Sequence, residues 1–140
     1  MRLTLRADGT ADLDLVWRRY STPELWTTWA PQIRRVECSA PTLDVGVTGT
    51  VFGVVPNLGA RFEVVDFDED EHRWAWDVLA GPVRMHLDHR SESRIGGGTS
   101  TSLVVDGPAV AVLTYAPVAR ISLESLVRPP RTSPAPRPGP

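Results

Sequence analysis

The sequence lacks lysine entirely and has one cysteine among its 140 residues. All fifteen basic residues are arginine, which excludes any mechanism that forms a Schiff base on a lysine side chain. The single Cys38 excludes an internal disulfide and any metal site built from several cysteines.

Excess charge and long apolar runs are also absent. The formal net charge is −2, and no basic stripe of the kind that binds nucleic acids is present. No apolar run approaches the roughly 20 residues of a membrane-spanning helix. Residues 1–6 lack the apolar core and cleavage site of a signal peptide. We therefore expect a cytoplasmic protein without a nucleic-acid partner or a membrane span.

Motifs for metals and cofactors are missing as well. His86, Asp88 and His89 resemble a ligand set when written in a row, but strand alternation sends the first two to one face and His89 to the other. The acidic run at 66–71 lacks the glycine and spacing of a calcium loop. The glycines at 96–98 have neither the lysine nor the helix of a phosphate-binding loop. We expect no metal and no cofactor.

What the chain does contain is two strictly alternating segments at 73–78 and 83–89. Successive side chains of a strand point to opposite faces, so each segment predicts one bulky apolar face and one charged face. The apolar face is expected to hold Trp74, Trp76, Val78, Val83, Met85, Leu87 and His89. A histidine that continues an apolar face indicates a lined cavity as readily as a solid core.

The remaining elements follow from periodicity and turn signals. We predict a strand at 2–7, a turn at 8–10 with Thr10 as N-cap, and a helix at 11–20. The capping-box sequence at 21–24 then predicts a second short helix, which ends at Pro31. Short turns, including one at 57–59, join six predicted antiparallel strands. These strands span 33–39, 48–55, 60–67, 72–79, 83–91 and 99–106.

A long helix is predicted to follow the last strand, with Pro108 in its first turn and a kink at Pro117. Its main apolar stripe comprises Ala109, Val112, Leu113, Ala116, Ala119, Leu123, Leu126 and Val127, and a second stripe lies nearly opposite. A helix that is apolar on two sides is either gripped on both or buried in a homodimer. Residues 129–140 are proline-rich and are expected to form a disordered tail.

This order of elements resembles the helix-grip fold of the START-like (SRPBCC) superfamily, within it the polyketide cyclase/dehydrase-like group. The residues that carry the resemblance are Val16-Trp17, Pro23-Glu24-Leu25-Trp26, Trp29, Gly46, Gly49, Phe62, Val64, Trp74, Trp76, His89 and Tyr115-Ala116-Pro117. The resemblance covers residues 1–128, which we take as one domain. It implies an α+β fold, in which a curved antiparallel sheet of about seven strands surrounds the C-terminal helix and two short helices follow the first strand.

The resemblance also implies an apolar cavity between sheet and helix, and ligands such as polyketides or lipids. Cyclase members of the superfamily use an arginine and a tyrosine in the cavity, but alternation places Arg61 outside. The residues expected to line a ligand site are Trp26, Phe62, Val64, Trp74, Trp76, Met85, Leu87, Leu113 and Arg120. Arg120 would anchor a carboxylate, or it forms only a helix-surface pair with Glu124.

Two hypotheses of function remain open. The first is a protein that binds a hydrophobic or aromatic small molecule without chemistry of its own. The second is a polyketide cyclase/dehydratase-type enzyme, in which His89 and Tyr115 carry protons. The alternative for His89 is a hydrogen-bonded core histidine, and for Tyr115 a structural tyrosine with a wet tip. A homodimer through the two-sided helix is a third, weaker hypothesis.

Overall fold

The computed structural model describes residues 1–53 and 59–130. Its elements are β1 (Arg2–Gly9), α1 (Leu13–Ser21), a 3-10 turn (Pro23–Leu25), α2 (Trp26–Trp29), β2 (Arg35–Cys38), β3 (Thr48–Phe52), β4 (Gly59–Asp68), β5 (Arg73–Ala80), β6 (Val83–Ser93), β7 (Thr99–Asp106) and α3 (Ala109–Leu126). The end of the strand predicted at 48–55, most of the turn predicted at 57–59 and the tail from residue 131 lie outside the described residues.

One antiparallel sheet contains all seven strands in the order β1-β7-β6-β5-β4-β3-β2. The turns between β2 and β7 are short enough for each of these strands to pair with the next, whereas β1 pairs with the last strand. A bulge between Val64 and Asp66 interrupts the ladder of β4 and β5, and bulges increase the local twist of a sheet. The sheet and the C-terminal helix form the helix-grip fold that the resemblance implies.

The start of α1 differs from the prediction. Thr10 is not its N-cap, because the ladder between β1 and β7 continues to the pair Gly9–Thr99 and keeps the chain extended there. The helix begins only at Leu13, with Asp12 as N-cap. The capping box predicted at 21–24 is also wrong, because the N-cap is Thr22 and its side chain makes no capping hydrogen bond. Only a 3-10 turn and the four-residue α2 follow.

Helix α3 leads from the neighbourhood of β6 to the end of β1. It begins beside β6, where Gly107 lies against Met85, and it ends against β1, where Ala11 donates its N–H to the Val127 carbonyl over 3.0 Å. Arg19 of α1 donates to the carbonyls of Leu126 and Arg128 at 2.6 and 2.7 Å. These donors satisfy carbonyl groups that the end of a helix leaves without partners.

Only a narrow stripe of α3 is buried. Val112, Ala119, Leu123 and Leu126 belong to the core, whereas Leu113, predicted in the same stripe, is 55% exposed. The reason is geometric: Leu113 follows Val112 by one position, which rotates its side chain by about 100° around the helix, away from β1. By length and composition alone α3 is apolar enough to cross a membrane, but this buried stripe makes it a helix of the folded domain.

Candidate functional site

The inner face of the sheet is organised in cross-strand rows. Leu87 pairs with Trp76, and His89 pairs with Trp74, so both tryptophans lie beside residues of the same inward-facing set. All four side chains are buried. The inward face predicted for 73–78 and 83–89 is therefore present, with His89 at its buried end.

His89 makes two hydrogen bonds that determine its tautomer. The indole Nε1–H of Trp76 donates to Nε2 of His89 over 3.0 Å. Because an indole N–H can only donate, Nε2 carries no proton, and the imidazole proton lies on Nδ1. Nδ1–H donates a hydrogen bond to the hydroxyl oxygen of Tyr20, and the two atoms are 3.2 Å apart.

The chain of hydrogen bonds continues from Tyr20 to the edge of the network. Its hydroxyl donates to Oγ1 of Thr101 at 3.0 Å, and Thr101 donates to the carbonyl oxygen of Arg90 at 3.0 Å. Ser91 contacts the same Thr101 oxygen at 3.1 Å. Every donor from Trp76 to Thr101 thus has an acceptor, and the network ends on a backbone carbonyl.

Burial keeps the titratable groups of this interior neutral. Desolvation lowers the pKa of His89 from 6.5 to about 3, because the charged imidazolium would lose its hydration. Desolvation raises the pKa of Tyr20, partly offset by its hydrogen bond to Thr101. It also raises the pKa of Tyr115 to about 12.

Most of the predicted ligand-site residues meet in one aromatic cluster. Trp74 stacks on His89 with ring centroids 4.5 Å apart and an interplanar angle of 7°. Trp26 lies 5.9 Å from Trp74 and 5.5 Å from Phe62, and Phe62 lies 5.2 Å from Trp76. Val64 and Leu87 are buried beside these rings. These contacts are those of a packed core, so the centre of the inner face is filled.

The inner face is less covered near the turn between β5 and β6. We call this region the open end, and it consists of the half-buried residues Val51, Val78, Val83 and Met85. Half-buried Tyr115 of α3 packs against the same core. Among the described residues, none hydrogen-bonds to the Tyr115 hydroxyl. The open end is therefore an apolar surface that is only partly covered.

Two residues of the predicted ligand set lie elsewhere. Leu113 and Arg120 are exposed on α3, and neither belongs to the core. Arg120, predicted as a possible carboxylate anchor in the ligand site, follows buried Ala119 by one position and so faces solvent. Arg61 is exposed, as expected, and it lines an open groove of about 450 Å³ on the outer face with Glu63, Asp77 and Arg84.

The sequence-based prediction missed Tyr20, Ser91 and Thr101. The signal was present in each case. Ser91 follows Leu87 and His89 at every second position of β6, and Thr101 occupies one of the inward-facing positions of β7. A tyrosine on the apolar side of α1 needs a partner for its hydroxyl when it is buried. Three inward hydroxyls next to a buried histidine would have predicted a polar network.

The sheet, the two short helices after β1 and the helix α3 define the helix-grip class of proteins. Residues 2–128 match the family described as "Polyketide cyclase / dehydrase and lipid transport". Because this match spans most of the chain, the protein belongs to that family. A search of curated proteins found no match.

Solved structures agree in fold at low sequence identity. A protein from Nitrosospira multiformis has a TM-score of 0.75 at 15% identity, with 91% of this chain and 94% of that chain covered. The major latex-like protein 151 from Panax ginseng reaches 0.71 at 13% identity, with 92% and 98% covered. A hypothetical protein from Helicobacter pylori reaches 0.73 at 12% identity, with 90% and 84% covered. At these identities the likeness concerns the fold alone.

Proposed function

We propose that the protein binds a hydrophobic or aromatic small molecule between the inner face of the sheet and α3, at the open end. The observation that carries this proposal is the half-buried set Val78, Val83 and Met85 beside a closely packed aromatic cluster. Apolar surface left partly in water gains free energy when a ligand covers it, by roughly 25 cal/mol per Å². The membership of a family that includes lipid transport supports the same proposal.

We further propose that binding occurs without chemistry by His89. Both ring nitrogens already have partners, and the pKa near 3 leaves the imidazole a weak base at neutral pH. The alternative, a cyclase or dehydratase, rests on the family and on the Tyr115 hydroxyl. A tyrosine with a pKa raised to about 12 is a hydrogen-bond donor at neutral pH rather than a proton carrier.

The experiment is a titration with planar aromatic and long-chain apolar compounds, followed by quenching of the five tryptophans. Two neighbouring positions on β5 supply matched variants. Val78→Asn places an amide on the inner face at the open end, whereas Leu79→Asn places it on the outer face, opposite Arg61 and Arg84. We expect Val78→Asn to weaken binding at least tenfold and Leu79→Asn to leave the dissociation constant within twofold.

Equal effects of the two substitutions would contradict a site on the inner face. The absence of saturable quenching by any compound would contradict binding altogether. Consumption of a bound compound by the wild-type protein would favour the enzyme instead, if Tyr115→Phe abolishes this turnover and leaves the affinity unchanged. Cytoplasmic location and a homodimer stay predictions, and sedimentation velocity would test the dimer.

A further inference from the structure

The end of the sheet that carries the open end also exposes apolar side chains to solvent. Val110 in the first turn of α3 is 80% exposed, Leu113 about one turn later is 55% exposed, and Met1 is 53% exposed. Gly107 donates its N–H to the Met1 carbonyl oxygen over 3.0 Å, so the start of β1 lies beside the start of α3. We call this region the tip, and it consists of Met1, residues 80–83, residues 107–110 and Leu113. None of these residues has a charged side chain.

On β4, β5 and β6, the charged side chains nearest the tip are arginines. Arg61 pairs with Leu79 and Leu79 pairs with Arg84, which places both arginines in one row of the outer face. Both are exposed, and neither forms an ion pair with another described residue. The border of the tip is therefore cationic on these three strands.

The carboxylates of the same face lie in the next row, two residues and about 7 Å further from the tip along the strands. Glu63 pairs there with Asp77, and Asp77 is 2.7 Å from the imidazole of His86. In the same row Asp106 of β7 forms an ion pair with Arg2 over 3.5 Å. The outer face thus presents an apolar edge, then arginines, then mainly carboxylates. The net charge of the whole chain is −2, so the cationic layer is a local feature of this end.

The order of these layers matches that of a phospholipid bilayer. A bilayer has hydrocarbon at its centre, phosphate groups around it and water outside. Apolar side chains that enter such a surface gain free energy by leaving water, and arginines beside them are attracted to anionic headgroups. The carboxylates, one row further out, stay in water. Each of the three layers therefore has a counterpart in an anionic bilayer.

A second copy of the chain fits the tip less well. Stable complexes bury about 800 Å² on each partner, from roughly 20–30 residues a side. The tip, by contrast, has three large exposed apolar side chains, Met1, Val110 and Leu113. Two tips in contact would also bring the arginines of both copies together, and like charges repel. An anionic lipid surface offers the opposite charge and sets no minimum area.

We propose that the tip docks on the surface of an anionic phospholipid bilayer. Val110, Leu113 and the turn at 80–83 enter the boundary of the acyl chains, and Arg61 and Arg84 contact phosphate groups. Docking goes beyond the proposed function and requires no bound ligand. It also turns the open end toward the bilayer, so an apolar ligand would reach the sheet without crossing water.

Flotation of the full chain with lipid vesicles tests the proposal. Vesicles of pure phosphatidylcholine are compared with vesicles of an equimolar mixture of phosphatidylcholine and phosphatidylglycerol. We expect binding to the anionic vesicles to be roughly tenfold tighter, because the two arginines contribute only there. High salt should reduce this difference, since dissolved ions screen the attraction.

Two single substitutions test whether the tip enters the bilayer. Val110→Asp replaces an apolar side chain of the tip by a carboxylate, which is favourable for folding in the first turn of a helix. It should weaken vesicle binding by about tenfold or more, because the inserted charge would lose its hydration. Ile95→Asp makes the same change at a fully exposed position of the β6–β7 turn, at the other end of the strands. We expect this control to bind vesicles within about twofold of the wild-type protein.

Two double variants test the arginine layer. Arg61→Gln with Arg84→Gln removes the row beside the tip, whereas Arg6→Gln with Arg90→Gln removes two exposed arginines of the same face toward the other end. We expect the first pair to lower the affinity for anionic vesicles about tenfold and to leave binding to phosphatidylcholine unchanged. The second pair should change either affinity by no more than about twofold. Circular dichroism checks the fold of all four variants.

Equal losses in the two double variants would indicate a general attraction of arginine to anionic lipid and would overturn docking by the tip. A loss in Ile95→Asp that Val110→Asp does not show would assign the contact to the opposite end. If the wild-type protein floats with neither kind of vesicle, docking is wrong, and quenching of its tryptophans by soluble apolar compounds shows separately whether the proposed function stands. A dimer in sedimentation velocity that Val110→Asp dissociates, without vesicle binding, would assign the tip to a second copy.

Discussion

At the scale of single residues, His89 shows how a polar side chain is accommodated in an apolar interior. Its ring accepts one hydrogen bond from Trp76, donates one to Tyr20 and stacks on Trp74. A buried polar group is tolerated when its hydrogen bonds are satisfied, and this ring has both. The network also explains why Ser91 and Thr101 are inward-facing hydroxyls rather than aliphatic residues.

The lowered pKa of His89 predicts a specific dependence of stability on pH. The unfolded chain binds a proton near pH 6.5, whereas the folded protein does so only near 3. Between these values the unfolded state binds the extra proton, so the free energy of unfolding falls as the pH falls. The contribution is fully present above pH 6.5 and is lost on approach to pH 3, at up to about 1.4 kcal/mol per pH unit.

The variant His89→Gln isolates this effect, because a glutamine can accept from Trp76 and donate to Tyr20 without titrating. Urea denaturation at pH 7.5, 6, 5 and 4.5 should show a steeper loss of stability for the wild-type protein than for His89→Gln. Parallel pH profiles for wild type and His89→Gln would show that His89 is not buried as a neutral group.

At the scale of elements, the junction of β1 with the end of α3 determines where the helix lies. Gly9 lies so close to the Val127 carbonyl that a Cβ atom at this position would overlap with it. The same carbonyl accepts the Ala11 N–H. A glycine is therefore required at the end of β1 for close approach of two backbones, a use of glycine that no side chain can replace.

Gly9→Ala is expected to lower the free energy of unfolding by about 1–3 kcal/mol, the usual cost of forcing extra atoms into a packed site. Gly53→Ala is the matched control, since its nearest contact would be the Gln32 carbonyl oxygen at 3.4 Å. Chemical denaturation of both variants measures the difference. A Gly9→Ala variant as stable as the control would mean that α3 ends elsewhere.

At the scale of the whole molecule, the interior has two parts. One is the closely packed aromatic cluster, and the other is the open end, which is apolar and only partly covered. Residues around Trp26 and Trp74 are almost fully buried, whereas Val78 and Met85 are not. Helix α3 begins beside Met85 and ends at Gly9. A ligand at the open end would therefore join the first turns of α3 to the sheet and stabilise the fold as one unit.

Ligand binding is consequently expected to raise the midpoint of thermal unfolding. A ligand that binds only the folded state adds about 2.7 kcal/mol to the free energy of unfolding at a concentration of 100 times its dissociation constant. Hydrogen exchange should slow most at Val112 and Tyr115 of α3 and at Met85 of β6. Protection confined to the outer face around Arg61 would place the ligand in the outer groove, contrary to the proposal.

The sequence by itself determined the element order, the alternation of β5 and β6 and the superfamily. These follow from local patterns, because the period of two in a strand and the caps and prolines of a helix act over a few residues. The inward position of His89 and the outward position of Arg61 follow from the same period. Helix boundaries were less well predicted, as the ladder of β1 and β7 that delays α1 joins residues about 90 positions apart.

Only the tertiary structure decided which side chains meet. The hydrogen bond of His89 to Tyr20 joins residues 69 positions apart, and that of Tyr20 to Thr101 joins residues 81 apart. The exposure of Leu113 and Arg120 depends on which face of α3 packs against the sheet. A local period in the sequence does not determine which residues of α3 are exposed. A helix that is apolar on two sides has no preferred face until one of them packs against the sheet.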